Sequence, residues 1–105
     1  MSVIHLENNN FNEIINNNKF VVVDFFANWC GPCKMLSPVI EDLSNEMSNI
    51  TFLKVNVDNN SEIAEQFQIM SIPALIFFKD GKVISKTVGF QPKETLKKYI
   101  DEIMK

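Results

Sequence analysis

The chain contains only two cysteines, Cys30 and Cys33, and two residues separate them. They follow an almost continuous apolar run at 20–27, which is typical of a strand buried on both faces. The residues after them have helical periodicity, so the pair lies where a strand turns into a helix. Two thiols in that position indicate thiol–disulfide exchange, because one thiolate can attack a disulfide and the other can release it. The spacing also suits an internal disulfide, with Cα atoms roughly 5–6 Å apart.

The two cysteines are expected to have different roles. Cys30 should lie in the loop just before the helix, where free N–H groups and the partial positive charge of the helix stabilise a thiolate. Gly31 is expected to permit a tight turn, and Pro32 to fix φ where a backbone donor would be unpaired anyway. Cys33, one turn farther on, should be less exposed. We therefore assign Cys30 as the attacking cysteine and Cys33 as the resolving one.

A metal site or a purely structural pair is the alternative interpretation of these cysteines. Structural zinc usually takes four ligands, and the single histidine, His5, is remote from the pair in sequence. The redox interpretation is therefore favoured. It requires a reversible Cys30–Cys33 disulfide, with no cofactor and no metal.

Asp24 is a carboxylate in the middle of the apolar run, where an unpaired charge is costly. Its functional interpretation is a buried proton acceptor for Cys33, with a pKa raised by desolvation. The alternative is a structural buried ion pair or an edge position that faces solvent. Because perturbed carboxylates are common at active sites, the functional role is favoured.

Length and composition limit the other possibilities. The chain has 105 residues and is 46% hydrophobic, which predicts one compact domain over residues 1–105. A net charge of −3 does not favour nucleic-acid binding, which usually shows a basic patch. No secretory signal is visible at the start, and the longest apolar run is too short to span a bilayer. A reducing cytoplasm is therefore expected, and a monomer is taken as the default state.

Hydrophobic periodicity and turn signals predict strands and helices in the order βαβαβαββα. Strands are predicted at 3–6, 20–27, 51–58, 74–78 and 83–88, with a long helix from 33 to about 47 and a last helix beginning near Pro92. Asn10 and Asn59 are each followed by Glu three residues later, which predicts side-chain caps for two helices. Asp80-Gly81 predicts a type I′ hairpin between the last two strands. The alternating part calls for parallel strands with covering helices, and the hairpin adds an antiparallel edge, so the fold class is α/β.

The segment Trp29-Cys30-Gly31-Pro32-Cys33-Lys34, placed after a strand containing Asp24, resembles the active site of the thioredoxin family. The similarity covers essentially the whole chain. The other matching positions are 23–27, Pro38, Lys54, Asp58, Ile72-Pro73 and Val88-Gly89. The resemblance implies the thioredoxin fold, a central mixed five-stranded sheet flanked by four helices. It also implies a protein-disulfide reductase.

The resemblance also implies roles for residues outside the cysteine motif. Lys54 would be the partner of Asp24. The Ile72-Pro73 bond would be cis and face the cysteines, leaving the backbone of Ile72 free to pair with an extended substrate. Independently of the resemblance, an apolar docking patch is expected around Cys30, and for Trp29 the alternative is a core aromatic. The patch would consist of Trp29, Gly31, Pro32, Ile72, Pro73, Gly89 and Phe90.

By the same analogy, an NADPH-dependent thioredoxin reductase would reduce the oxidised pair. Electrons would pass to several disulfide-containing proteins, among them peroxiredoxins and ribonucleotide reductase.

Three other functions remain as alternatives. An oxidase or isomerase of the same fold is disfavoured by the Gly-Pro between the cysteines and by the missing secretory signal. A binding subunit without turnover is disfavoured by the intact cysteine pair, Asp24 and Ile72-Pro73. Glutathione-dependent chemistry of the glutaredoxin kind is disfavoured because the residues between the cysteines differ.

Overall fold

The computed structural model describes residues 3–7 and 9–105, and residues 1, 2 and 8 lie outside this part. The described chain forms five strands and four helices in the predicted order. They are β1 (Val3–His5), α1 (Phe11–Asn17), β2 (Phe20–Phe26), α2 (Gly31–Glu46), β3 (Thr51–Asn56), α3 (Ser61–Gln66), β4 (Ala74–Lys79), β5 (Lys82–Val88) and α4 (Lys93–Ile103).

The five strands form one mixed sheet in the order β1-β3-β2-β4-β5. β1, β3 and β2 are parallel, whereas β4 is antiparallel to β2 and β5 is antiparallel to β4. The predicted α/β class, with parallel strands first and an antiparallel edge after them, is confirmed. β2 lies at the centre of the sheet, which explains why its sequence is almost entirely apolar.

The side chains of β2 alternate between the two faces of the sheet. Phe20 and Val22 pack with the apolar residues of α2 and α4. Val21, Val23 and Phe25 pack on the other face, with the apolar residues of α1 and α3. By this alternation the side chain at position 24 belongs to the face covered by α2 and α4. A carboxylate is therefore placed under the helix that carries the cysteines.

The hairpin between β4 and β5 has the predicted turn. Asp80 has φ of 52° and Gly81 has φ of 82°, so both central residues adopt the left-handed conformation of a type I′ turn. Lys79 and Lys82, on either side of them, are paired in the ladder. The register next to the turn is therefore fixed locally by turn chemistry visible in the sequence, and an irregularity between Phe77 and Phe78 shifts it farther along the strands.

The two predicted side-chain caps are wrong. α1 does begin after Asn10, but the Asn10 side chain makes no capping hydrogen bond and its backbone is not extended, with φ −97° and ψ 24°. α3 is preceded by Asn60 rather than by Asn59, again without a side-chain cap. The Asn60 amide instead donates to the carbonyl of Asn56, 3.0 Å away. Both helices depend on packing rather than on a capping box.

Candidate active site

The cysteine pair lies at the N-terminus of α2. The helix begins at Gly31, two residues earlier than predicted, and Cys30 is its N-cap residue. The Cys30 Sγ accepts a hydrogen bond from the backbone N–H of Cys33, at 3.2 Å. The two cysteines form a disulfide with Cα atoms 5.2 Å apart, within the predicted range. The structure therefore shows the oxidised state of the pair.

The burial of the two cysteines does not distinguish them in this state. Cys30 is 4% exposed and Cys33 is 3% exposed, so the expected difference in exposure is not seen. Both pack with Ala27, and the partly buried Phe26 lies against them. What does distinguish them is position, because only the Cys30 sulfur receives a free N–H group of the helix terminus.

The two residues between the cysteines are exposed. Pro32 lies in the first turn of α2, where its missing N–H costs nothing. Gly31 is not required by the turn, because its φ is not positive and an added Cβ would meet nothing within 4 Å. The predicted conformational role of Gly31 is therefore wrong.

The loop before β4 approaches the cysteines from the other side. The Ile72-Pro73 peptide bond is cis, as predicted. The carbonyl oxygen of Ile72 lies 3.8 Å from the Sγ of Cys30. Pro73 is buried, and its carbonyl oxygen accepts from the backbone N–H of Gly89, at 2.8 Å. Gly89 has φ of 97°, so the loop carrying the neighbouring Phe90 needs a residue without a side chain here. The structure therefore brings Ile72, Pro73 and Gly89 to one region beside Cys30.

Trp29 is the most exposed aromatic side chain near the disulfide, at 70% exposure. Its indole Nε1–H donates to Oδ2 of Asp58, at 2.9 Å. The backbone N–H of Asp58 in turn donates to the side-chain oxygen of Asn56, at 2.8 Å. Sequence reasoning gave Asp58 no role, and the two residues are 29 positions apart, so only the fold joins them.

Asp24 is buried, at 2% exposure. Within the described chain, neither of its carboxyl oxygens has a hydrogen-bond partner. Desolvation raises the pKa of this carboxyl from 3.8 to about 6, and the positive charge of Lys54 opposes part of that rise. A carboxyl with such a pKa exchanges protons near neutral pH, as a general base must.

Lys54 is the strand neighbour of Asp24, since the two are partners in the β2–β3 register. It is also buried, at 8% exposure. Its ammonium nevertheless donates to the hydroxyl of Ser37, at 2.9 Å, and lies 4.4 Å from the centre of the Phe26 ring. It forms no ion pair with the carboxyl in the described structure. Sequence reasoning missed Ser37, which sits one helical turn after Cys33 and had no distinguishing motif.

A cavity of about 130 Å³ lies next to Lys54 and Ser37. Its walls include Cys33 and Ser37 from α2, Lys54 from β3 and Phe26 from the end of β2. The cavity therefore has room for water beside the sulfur of Cys33 and the ammonium of Lys54. Among residues 3–7 and 9–105, no group of three or more His, Cys, Asp or Glu side chains is placed to hold a metal ion.

A strand that leads into a helix-capping cysteine pair, opposite a cis-proline loop on a mixed sheet, defines a thiol–disulfide oxidoreductase. Comparisons with known proteins agree with this class. The family model described as thioredoxin matches residues 2–102. A thioredoxin of Staphylococcus haemolyticus is 46% identical over 103 residues, which cover 97% of this chain and 98% of that protein. A thioredoxin of Mycoplasmoides gallisepticum is 49% identical over 88 residues, 84% of this chain and 88% of that protein.

Solved structures show the same similarity. A mutant thioredoxin from Halobacterium salinarum superposes with a TM-score of 0.91 at 31% identity, over 99% of this chain and 92% of that chain. The chain belongs to the thioredoxin family and has the thioredoxin fold. It is a protein-disulfide reductase that acts through its cysteine pair without a cofactor. No helix of the described residues is long and apolar enough to cross a membrane.

Proposed function

We propose that Cys30 attacks the disulfide of a protein substrate and that Cys33 resolves the resulting mixed disulfide. The observation that carries this assignment is the 3.2 Å contact of the Cys33 N–H with the Sγ of Cys30. In the reduced protein the same N–H and the helix terminus stabilise a thiolate at Cys30. Cys33 lies inside the first turn of the helix and its N–H points at the sulfur of Cys30, so Cys30 is proposed as the first nucleophile.

The cycle transfers two electrons from the cysteine pair to the substrate disulfide. The Cys30 thiolate bonds to one substrate sulfur, and the other substrate sulfur leaves as a thiolate and takes up a proton. Cys33 then loses its proton and attacks the Sγ of Cys30, which forms the internal disulfide and frees the second substrate sulfur. The substrate has gained two electrons, and the cysteine pair has lost them.

Asp24 is proposed as the group that accepts the proton of Cys33 in the second step. Burial places its pKa at about 6, so the carboxylate form is available near neutral pH and still has affinity for a proton. It lies on the sheet face covered by α2, the helix that carries Cys33. Its register neighbour Lys54 lines the same cavity as Cys33 and is proposed to stabilise the carboxylate form electrostatically.

The exposed rim around Cys30 is proposed as the docking surface for substrates. Trp29 and Phe90 supply exposed aromatic area, and the carbonyl of Ile72 faces the attacking sulfur. An extended substrate segment that pairs with the backbone of Ile72 would bring its disulfide to Cys30. The other members of the proposed surface are Gly31, Pro32, Pro73 and Gly89.

The partners and setting proposed for this chain follow from the family. An NADPH-dependent thioredoxin reductase would restore the dithiol, and peroxiredoxins and ribonucleotide reductase would be among the substrates. A similar chain, with a TM-score of 0.87 and 32% identity, was solved in work on thiol resolution in yeast mitochondrial 1-Cys peroxiredoxin via glutathione/thioredoxin systems. We further propose that residues 1–105 act as a single-domain monomer in the cytoplasm.

Two variants test the assignment of the cysteines. Cys30→Ser should abolish reduction of a protein disulfide, whereas Cys33→Ser should accumulate a mixed disulfide through Cys30. The double variant Cys30→Ser/Cys33→Ser is the control and should trap nothing. Full activity in Cys30→Ser, or trapping through residue 33 in that variant, would overturn the assignment.

The reduction potential separates a reductase from an oxidase or isomerase. Equilibration of the pair with a dithiothreitol series should give a reduction potential of about −270 mV, which is the value known for thioredoxin itself. A potential of about −180 to −120 mV is typical of the oxidising relatives and would contradict the proposal.

A further inference from the structure

The ammonium of Lys54 lies beside a carboxyl that it does not bind. Lys54 and Asp24 are partners in the register of adjacent strands, so their side chains leave the sheet on the same face. Both are buried, and neither oxygen of Asp24 has a hydrogen-bond partner within the described chain. In a poorly solvated site an ion pair between them would be strongly attractive. A third group must therefore hold the ammonium elsewhere.

Ser37 is that group. Its hydroxyl oxygen accepts from the Nζ of Lys54 at 2.9 Å, and the Phe26 ring lies on the same ammonium at 4.4 Å. Ser37 belongs to α2, which is anchored in the core on both sides of it by Leu36 and Ile40. The acceptor is therefore fixed in place by the helix, whereas the four-carbon stem of the lysine can bend toward it.

We propose that Ser37 is a positioning residue for the proton step at Cys33. Its hydroxyl holds the ammonium of Lys54 at the cavity wall and keeps that cation away from the carboxyl of Asp24. This inference rests on the proposed role of Asp24 as proton acceptor and goes beyond it, because it assigns the control of that acceptor to a hydroxyl on the cysteine helix. Without the hydroxyl, Lys54 would close onto Asp24, and the carboxylate would become a weaker base.

Among the described residues, no other titratable group around Asp24 and Lys54 forms an ion pair with the ammonium. From α2, Cys33 and Lys34 line the cavity together with Lys54, and Lys34 is itself a cation. From the β1 side, His5 is the register partner of Lys54, and Glu7 lines a separate hollow that Lys54 borders. Within the described chain, Lys54 is the one charged group whose positive charge lowers the pKa of Asp24. The distance between that one cation and the carboxyl is therefore the variable that Ser37 controls.

The direct test is the titration of the Asp24 carboxyl carbon by NMR in the oxidised protein, where neither cysteine titrates. Ser37→Ala should lower the pKa of Asp24 by about 1, because an opposite charge within reach of a carboxyl has an effect of that order. Ser37→Thr keeps the hydroxyl and should preserve the wild-type pKa. Ser44→Ala is the matched control, since Ser44 is a buried serine of the same helix whose hydroxyl donates only to the carbonyl of Glu41. An unchanged or raised pKa in Ser37→Ala would overturn the inference.

A double variant shows whether Ser37 acts through Lys54. Lys54→Met should raise the pKa of Asp24, because the one opposing charge is lost. Adding Ser37→Ala to Lys54→Met should then change nothing further. A further shift in the double variant would mean that the hydroxyl acts on Asp24 without Lys54, and the positioning role would be wrong.

The kinetic test separates failure of this inference from failure of the proposed function. Release of a substrate thiol from a mixed disulfide on Cys30 should depend on the ionisation of Asp24, and Ser37→Ala should move the acidic limb of that pH profile downward by the same amount as the pKa. A profile that stays in place while the NMR pKa falls would overturn the link to the proton step. If Asp24→Asn releases the thiol as fast as wild type at pH 7, the proposed role of Asp24 fails. The NMR tests of Ser37 and Lys54 would still be valid, because they measure the pKa of Asp24 and not its role in the reaction.

Discussion

The indole of Trp29 is tied to Asp58 by a hydrogen bond of 2.9 Å, although most of the ring is exposed beside the disulfide. An exposed aromatic side chain held in this way would present a rigid apolar face at the proposed docking surface. Because Asp58 follows β3 and Trp29 follows β2, the bond also joins the ends of two adjacent strands.

Removing the carboxylate of Asp58 should free the indole. In Asp58→Ala we expect faster local rotation of Trp29 and a loss of about fivefold in kcat/KM for a protein disulfide, for a hydrogen bond of about 1 kcal/mol. Since Trp29 is the only tryptophan of the chain, its fluorescence anisotropy decay reports the rotation directly. Asp101→Ala, an exposed charge on α4, is the control and should leave both quantities unchanged. An unaltered decay in Asp58→Ala would show that the bond does not restrain the ring.

The hairpin turn should be sensitive to a side chain at Gly81. This residue has φ of 82°, and an added Cβ would lie 3.0 Å from the side-chain oxygen of Asn16. Gly81→Ala should therefore lower the free energy of unfolding by about 1–2 kcal/mol, measured by urea denaturation. Gly31→Ala is the matched comparison, because a Cβ there meets nothing within 4 Å, and it should cost no stability. Equal stability of the two variants would contradict the argument from backbone conformation.

The ion pairs that join α2 to α4 should stabilise the fold only weakly. Glu46, near the end of α2, pairs with both Lys93 and Lys97, and these contacts lower the pKa of its carboxyl. A lowered pKa means that the stabilisation is present above the ordinary pKa of 4.5 and is lost as the pH falls through the folded value. Glu46→Gln should slightly lower Tm at neutral pH and low salt, and the difference should vanish at about 1 M salt.

Glu41→Gln changes the same kind of residue on the same helix and serves as the control for this pair. It should show no salt-dependent change in Tm. A decrease in Glu46→Gln that persists at high salt would point to lost packing instead of lost charge interactions.

The fold could be predicted because its signals are local or repeat along the chain. The buried strand 20–27, the strand predicted at 51–58 and the Asp80-Gly81 turn each follow from neighbouring residues. The cysteine motif gave the chemistry for the same reason, since its four residues are adjacent. The cis bond at Pro73 was predicted from family resemblance and not from local rules, which favour trans.

The features that were missed or wrong depend on contacts between distant segments. Asp58 meets Trp29, and Ser37 meets Lys54, only after the strands and α2 have packed. The capping prediction at Asn10 failed because a side-chain cap needs a particular backbone conformation, which the sequence pattern does not specify. Hydrogen bonds of side chains therefore required the structure, whereas the order of elements did not.

The free energy of unfolding of the oxidised protein should depend on pH through the titration of Asp24. Below pH 3.8 the carboxyl is protonated in the folded and unfolded chains, so its burial does not lower the free energy of unfolding. As the pH rises toward the folded pKa of about 6, the unfolded chain releases the proton first, and the free energy of unfolding falls. Above that pKa the loss is complete, at about 3 kcal/mol for a pKa difference of this size.

Asp24→Asn cannot titrate at this position, so its stability relative to wild type should rise across the same interval of pH. Urea unfolding of both oxidised proteins at several pH values between about 3.5 and 7 measures the difference, in which the other titrating groups cancel. Asp101→Asn, whose carboxylate is exposed, should show a constant difference from wild type. A constant difference for Asp24→Asn as well would mean that the buried carboxyl keeps an ordinary pKa. It would then be too weak a base for the proton of Cys33, because a general base works best when its pKa lies near the operating pH.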